Sequence, residues 1–147
     1  MNSNPAAQFN IQIGDQLTWN VKPLLHEIRH ALRDLAEHGR SAIIDLRSIP
    51  LAPGEEDKIL ATLGRGEVHA QIDALGPSEV IETRYPGVWL VTHYNSEADV
   101  ISRFIEITAM PEILCSQAED ISQSGARLAA YLEQAGGDPA LSEETVS

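Results

Sequence analysis

The feature that most constrains this chain is a series of short alternating segments over residues 64–111, punctuated by turn residues. Val68, Ala70, Ile72 and Ala74 alternate with Glu67, His69, Gln71 and Asp73, the period-two pattern of a strand with one covered face. Gly76-Pro77-Ser78 breaks the run, residues 80–85 (VIETRY) resume it, and Pro86-Gly87 breaks it again. Residues 88–94 (VWLVTHY) are apolar on both faces, as a central strand requires, and residues 100–108 make a fourth run after turn chemistry at residues 95–99. Four short strands joined by short turns predict an antiparallel meander. One junction has two readings. A Pro-Gly pair favours a type I or II turn, whose twist splays a tight hairpin. Residues 85–88 are therefore either the turn of a hairpin or a bulge or bend inside one longer strand.

The flanking segments read as helices that cover this sheet. Residues 1–18 are mostly polar, with a brief alternation at Phe9, Ile11 and Ile13 that allows an edge strand, and are expected to form a flexible lead. Asn20 stands at an N-cap position, Pro23 falls within the first turn, and Gly39 is a natural stop after His38. At about 100° per residue, Leu24, Leu25, Ile28, Ala31, Leu32 and Leu35 share one side, a stripe that must pack on the sheet. Residues 42–46 (AIIDL) form a short strand whose continuous apolar run predicts burial on both faces. Glu55, Glu56 and Asp57 place acids at the positive end of a second helix, which Leu63 ends and Gly64 caps. The strand–helix–strand order over residues 42–75 allows the first strand to run parallel through a right-handed crossover. Pro111 is predicted to open a third helix reaching Gln134, with a break near Gly125 and with Ile113, Leu114, Ile121, Leu128 and Leu132 as core contacts. Residues 136–147 read as a disordered acidic tail. The sum is a single α+β domain over residues 19–135. It holds a mainly antiparallel sheet, a four-strand meander plus one short N-terminal strand, covered by about three helices.

Charge narrows the function classes. The chain carries a formal net charge of −12, which argues against nucleic acid as a partner. From Phe104 onward the acids face Arg127 alone, so the C-terminal part reads as a solvated surface or as a landing site for a basic partner segment. No window approaches the roughly 18 apolar residues of a membrane span. The opening MNSNPAAQFN lacks the basic and apolar regions of a secretory leader, so the expected compartment is the cytoplasm. Cys115 is the only cysteine. It leaves no intramolecular disulfide or multi-cysteine cluster within one chain, and reads as a small core residue.

His26-Glu27-Ile28-Arg29-His30 matches HExxH, in which two histidines one turn apart hold Zn²⁺ and the glutamate activates water. Here the helical wheel places His26 and His30 with Arg33 and Glu37, opposite the leucine stripe. Arg33 and Ala36 stand where the metzincin extension needs glycine and histidine. The pair reads as exposed and coincidental, and a zinc metallopeptidase is the enzymatic alternative. His69 and His93 on predicted strands, with Cys115, read as packing residues rather than a His₂Cys site. No P-loop, dinucleotide fingerprint or nucleophile elbow is present. Tyr85, Trp89, Glu79, Glu82 and Arg84 near predicted turns suit a protein interface, with a core position beneath a helix as the other reading of Trp89. No catalytic residue, metal ligand or cofactor is expected.

Three strings, GRGEV (residues 64–68), GPSEVIETRYPGVWLVTH (residues 76–93) and IEITAMPEIL (residues 105–114), resemble the C-terminal region of the HupH/HyaF hydrogenase expression proteins. The likeness begins near LLHEI (residues 24–28) and runs through IIDLRSIPL (residues 43–51). It implies a non-catalytic, chaperone-like accessory protein in the maturation of uptake nickel–iron hydrogenases. The partners implied are the precursor of the iron–sulfur small subunit, before its twin-arginine export, and other maturation factors. Arg65, Glu67, Glu79, Glu82 and Trp89 lie in the matching strings and are the interface candidates. A general interaction or homodimerisation module is the remaining non-enzymatic reading. Longer members of the family carry sequence ahead of this region, so the chain is expected to hold the C-terminal region alone.

Overall fold

The computed structural model describes residues 20–74 and 76–136, in two compact units that divide after Pro111. The first unit contains α1 (Val21–His38), β1 (Ala42–Asp45), a 3₁₀ turn (Leu46–Ser48), α2 (Glu55–Leu63), β2 (His69–Ile72), β3 (Ser78–Glu82), β4 (Val88–Tyr94) and β5 (Val100–Ile107). The strands form one sheet in the order β1-β5-β4-β3-β2, and every neighbouring pair is antiparallel. The expected meander is present, with the apolar β4 at its centre. β1 joins β5 antiparallel, so the parallel option for the first strand is not taken. β1 and β2 do point the same way, because four antiparallel steps separate them, but they lie at opposite edges.

Edge position also corrects the expected burial of β1 on both faces. Ile44 is 8% exposed but Ile43 is 66% exposed. An apolar run fixes no second covering layer, and an edge strand has a neighbour on one side only. At the other edge, β2 keeps the predicted alternation, with Ala70 and Ile72 half-buried and His69 and Gln71 exposed.

Register determines which residues meet the helices. Ile44, Ile105, Leu90, Ile81 and His69 lie opposite one another in a row across all five strands. Ala42, Ile107 and Val88 form the next row. Ile44, Ile105, Ile107 and Val88 pack into one core with Val21, Leu24 and Ile28 of α1 and Ile59 and Leu63 of α2. The predicted leucine stripe is therefore the sheet-facing side of α1, with Leu25, Ala31, Leu32 and Leu35 partly buried around the core. Each large aliphatic side chain fully buried here contributes about 1.5–3 kcal/mol. On the opposite face of the sheet, Val80, Trp89 and Val91 are buried.

The Pro-Gly junction is a turn. Val88 N–H donates to Tyr85 O at 2.9 Å, Thr83 N–H donates to Val88 O at 3.0 Å, and Gly87 has φ 96°. A positive φ at the third turn position is the type II arrangement that Pro-Gly favours. The loop closed by Thr83 and Val88 is long enough to absorb its splay, and the Thr83 hydroxyl braces it with a 2.8 Å bond to Val88 O. A Cβ on Gly87 would lie 3.2 Å from Leu32 Cδ2, so this turn tucks under α1.

The second unit holds a 3₁₀ turn (Glu112–Leu114) and α3 (Ala118–Ala135). The third helix therefore starts at Ala118 rather than Pro111, and it passes Gly125 without a break. Ile113, Ile121, Leu128 and Leu132, expected as core contacts, are exposed, and Leu114 is half-buried. Cys115, read as a core residue, is also exposed. A helical apolar period identifies the oily side of a helix, not whether anything covers it. The expected lead and all of the expected tail except Gly136 lie outside the described residues. No helix among the described residues is long and apolar enough to cross a membrane.

Candidate functional site

Segments far apart in sequence converge where the C-terminal end of α2 meets the β3–β4 turn. After Leu63 the chain reverses at Gly64 and runs back along β3. Gly66 N–H donates to Glu82 O at 2.7 Å, Glu82 N–H to Val68 O at 2.9 Å, and Arg84 N–H to Leu63 O at 2.8 Å. The approach is close enough to require glycine. A Cβ on Gly66 would stand 2.6 Å from the Thr83 carbonyl oxygen, well inside contact distance. Leu25, Ile28, Arg29 and Leu32 of α1 face Thr62, Leu63 and Tyr85 across an open groove of about 250 Å³.

Glu55 sets the relation between the two helices that wall this groove. Its side chain is 0% exposed. Oε1 accepts from Asn20 Nδ2 at 2.9 Å and from Ala52 N–H at 2.7 Å, and Oε2 accepts from Asn20 N–H at 3.0 Å. The Asn20 side-chain amide first, then the Ala52 amide, hold the carboxyl below its ordinary value. Burial pushes the other way, and the Asn20 backbone N–H adds to the lowering. Asn20 stands at the expected N-cap position, but its side chain makes no capping bond to its own helix. It serves the carboxylate that starts α2 instead. Sequence reasoning counted Glu55 as one of three acids at a helix terminus. Nothing local distinguished it, because its main partner is 35 residues away.

The interface candidates do not form one patch. Arg65 and Glu67 are exposed, and Glu67 N–H donates to Glu82 Oε1 at 3.2 Å. Glu79 and Glu82, an odd number of residues apart on β3, leave opposite faces of the sheet. Glu79 pairs with His69 at 2.9 Å. Trp89 is 5% exposed and its indole N–H donates to Thr108 O at 3.0 Å. Trp89 is therefore buried, but on the sheet face opposite α1 and α2 rather than beneath either helix.

The histidines are scattered. His26 and His30 are exposed on α1, away from Val21, Leu24 and Ile28. His69 shares the helix-facing row with Ile81, whereas His93 lies opposite Ser78 on the other face. His93 Nδ1 and Ser78 Oγ are hydrogen-bonded at 2.7 Å, and the ring meets Phe104 edge-on. Among the described residues, no three His, Cys, Asp or Glu side chains are grouped to hold a metal ion. Arg103, on the helix-facing side, donates to Thr92 Oγ1 at 3.2 Å and to Glu56 at 3.4 Å, extending the polar network at the start of α2.

Fold and corner together define an α+β module with an interhelical groove beside a glycine-tight hairpin. Residues 18–135 match the sequence family described as the HupH hydrogenase expression protein, C-terminal conserved region, and the chain belongs to that family. It is 32% identical over 111 residues to the hydrogenase expression/formation protein HupQ of Azotobacter chroococcum, covering 74% of this chain and 39% of that protein. It is 27% identical to HoxQ of Cupriavidus necator over 133 residues, covering 89% of this chain and 47% of the relative. The chain thus spans less than half the length of these relatives. The solved structure of the hydrogenase expression protein HupH from Thiobacillus denitrificans is similar with a TM-score of 0.75 and 37% identity, covering 78% of this chain and 96% of that one.

Proposed function

We propose that this chain is an accessory protein of hydrogenase maturation. It acts without catalysis, as a chaperone-like binder of the small-subunit precursor of an uptake nickel–iron hydrogenase in the cytoplasm. The observation that carries this reading is the family match over residues 18–135, whose relatives are named hydrogenase expression or formation proteins. Charge supports a binding role. The chain carries −12 overall, with seven acidic residues and one arginine in residues 112–147. Such a charge attracts a basic leader segment and hastens its encounter.

The test is binding of the purified chain to the small-subunit precursor with its leader intact, compared with the leaderless subunit. Binding is expected for the precursor, weakening by roughly threefold or more as salt rises from about 0.1 M to about 1 M and the screening length contracts. Deleting the gene is expected to abolish hydrogenase activity. Full activity in the deletion strain, together with no binding to either form of the subunit, refutes the reading.

A further inference from the structure

The groove between α1 and α2 has a chemistry the proposed function does not use. Leu25, Ile28, Leu32, Leu63 and Tyr85 make it apolar, and Tyr85 is 44% exposed. At about 250 Å³ it falls below the roughly 300–1,000 Å³ of pockets that enclose a cofactor or drug-sized ligand. It has room for a side chain or two of a docked segment.

Its rim is cationic. Arg29 stands in the lining itself. The Arg84 guanidinium folds over Gly64, beside Leu63, so that a Cβ there would lie 2.9 Å from Arg84 Nε. On α1, Lys22 and Arg33 fall within about 20° and 40° of Arg29 but outside the lining, Glu37 falls about 80° away, and Glu27 and Asp34 about 160° and 140° away. Among the described residues, none of Lys22, Arg29, Arg33 or Arg84 forms an ion pair; the carboxylate pairs go to Arg40, Arg103, His38 and His69. In a chain with 22 acidic and 10 basic residues, two arginines without an acidic partner beside one apolar floor, Arg29 in its lining and Arg84 next to Leu63, form a local field opposite to that of the whole molecule. Exposed arginine and tyrosine beside an apolar pocket are the residue types that carry interface energy.

We propose that this groove docks an acidic amphipathic segment of a partner protein. A bulky apolar side chain enters between α1 and α2, and flanking carboxylates meet Arg29 and Arg84 in charge-assisted hydrogen bonds. The charge preference is opposite to that proposed for the acidic C-terminal residues. The inference therefore does not rest on the identity of the hydrogenase partner.

The experiment uses the full chain and two labelled helix-forming peptides with leucines one turn apart, one flanked by glutamates and the other by lysines. Anisotropy titrations are expected to show the glutamate peptide binding at least about tenfold tighter, a difference of about 1.4 kcal/mol. In labelled protein its amide shifts are expected at Leu25, Leu32, Leu63 and Tyr85. The double variant Arg29→Glu, Arg84→Glu alters exposed side chains only and is expected to reverse the preference. Equal binding of the two peptides, or shifts that map elsewhere, overturns the proposal whether or not the variant folds. Concentration-dependent self-association that the double variant abolishes would assign the groove to a second copy and overturn the partner assignment. Failure of the precursor-binding test leaves these outcomes unchanged.

Discussion

Replacing Gly66 with alanine tests the corner most directly. The Gly66 amide is bonded to Glu82 O at 2.7 Å, and an added methyl would lie 2.6 Å from both Thr83 O and Glu82 Oε1. The Glu82 side chain can swing aside, but the Thr83 carbonyl is backbone at the base of the β3–β4 loop. Relief requires the Gly64-to-Val68 segment to lift. Overpacking of this kind costs about 1–3 kcal/mol, and loss of the amide bond adds about 0.5–1.5 kcal/mol. The expected destabilisation is therefore roughly 2–4 kcal/mol, a large share of the roughly 5–15 kcal/mol that holds a domain together. With an intermediate urea slope of about 2 kcal/mol/M, the midpoint read by far-UV circular dichroism should fall by about 1–2 M at unchanged slope. Gly125→Ala is the matched control. Nothing lies within 4 Å of its added Cβ, and alanine inside a helix stabilises by about 0.5–1 kcal/mol relative to glycine. The same chemical change should thus act with opposite signs at the two sites. A Gly66→Ala protein within about 0.5 kcal/mol of wild type would refute the close-approach argument.

Two further predictions concern the helix layer. Ile59 is 0% exposed at the centre of the core, so Ile59→Ala should destabilise by about 2–5 kcal/mol in the same unfolding assay. Glu55→Gln should lower the unfolding midpoint at neutral pH, because the carboxylate accepts three hydrogen bonds. The folded-state pKa of Glu55 is depressed below 4.5. Its contribution is therefore fully present above the unfolded value and disappears as pH falls through the folded one. The gap between wild type and variant should be constant near neutrality and narrow in acid; a gap that widens in acid would contradict the assignment.

Much of the fold was legible because it is written in short-range periods. The run of residues 88–94, apolar on both faces, and the turn residues around it located β4, alternation in residues 67–74 located β2, and the 3.6-residue stripe from Leu24 to Leu35 located the buried side of α1. What failed was information about neighbours. Ile43 and Ile44 look alike in sequence, but they leave opposite faces of the edge strand: Ile44 joins the helix-covered row with Ile105, whereas Ile43 lies on the other face and is exposed. The apolar positions of α3 are likewise periodic, yet Ile121, Leu128 and Leu132 are exposed. Glu55 and Asn20 each satisfied a local rule for helix starts, and their joint role arises only because two helix starts are brought together.

The glycines carry this distinction to the site. Locally, Gly64 ends a helix, Gly66 follows in a loop and Gly87 closes a turn, and no further role is visible. In space each marks a close approach: Gly64 to the Arg84 guanidinium, Gly66 to Thr83, and Gly87 to Leu32. The strings GRGEV and ETRYPGV therefore hold each other and α1 in place, and Trp89, buried in the same hairpin, belongs with them. These positions keep the corner assembled. The proposed docking uses groups that the same packing leaves in water around it, Arg29, Arg84 and Tyr85.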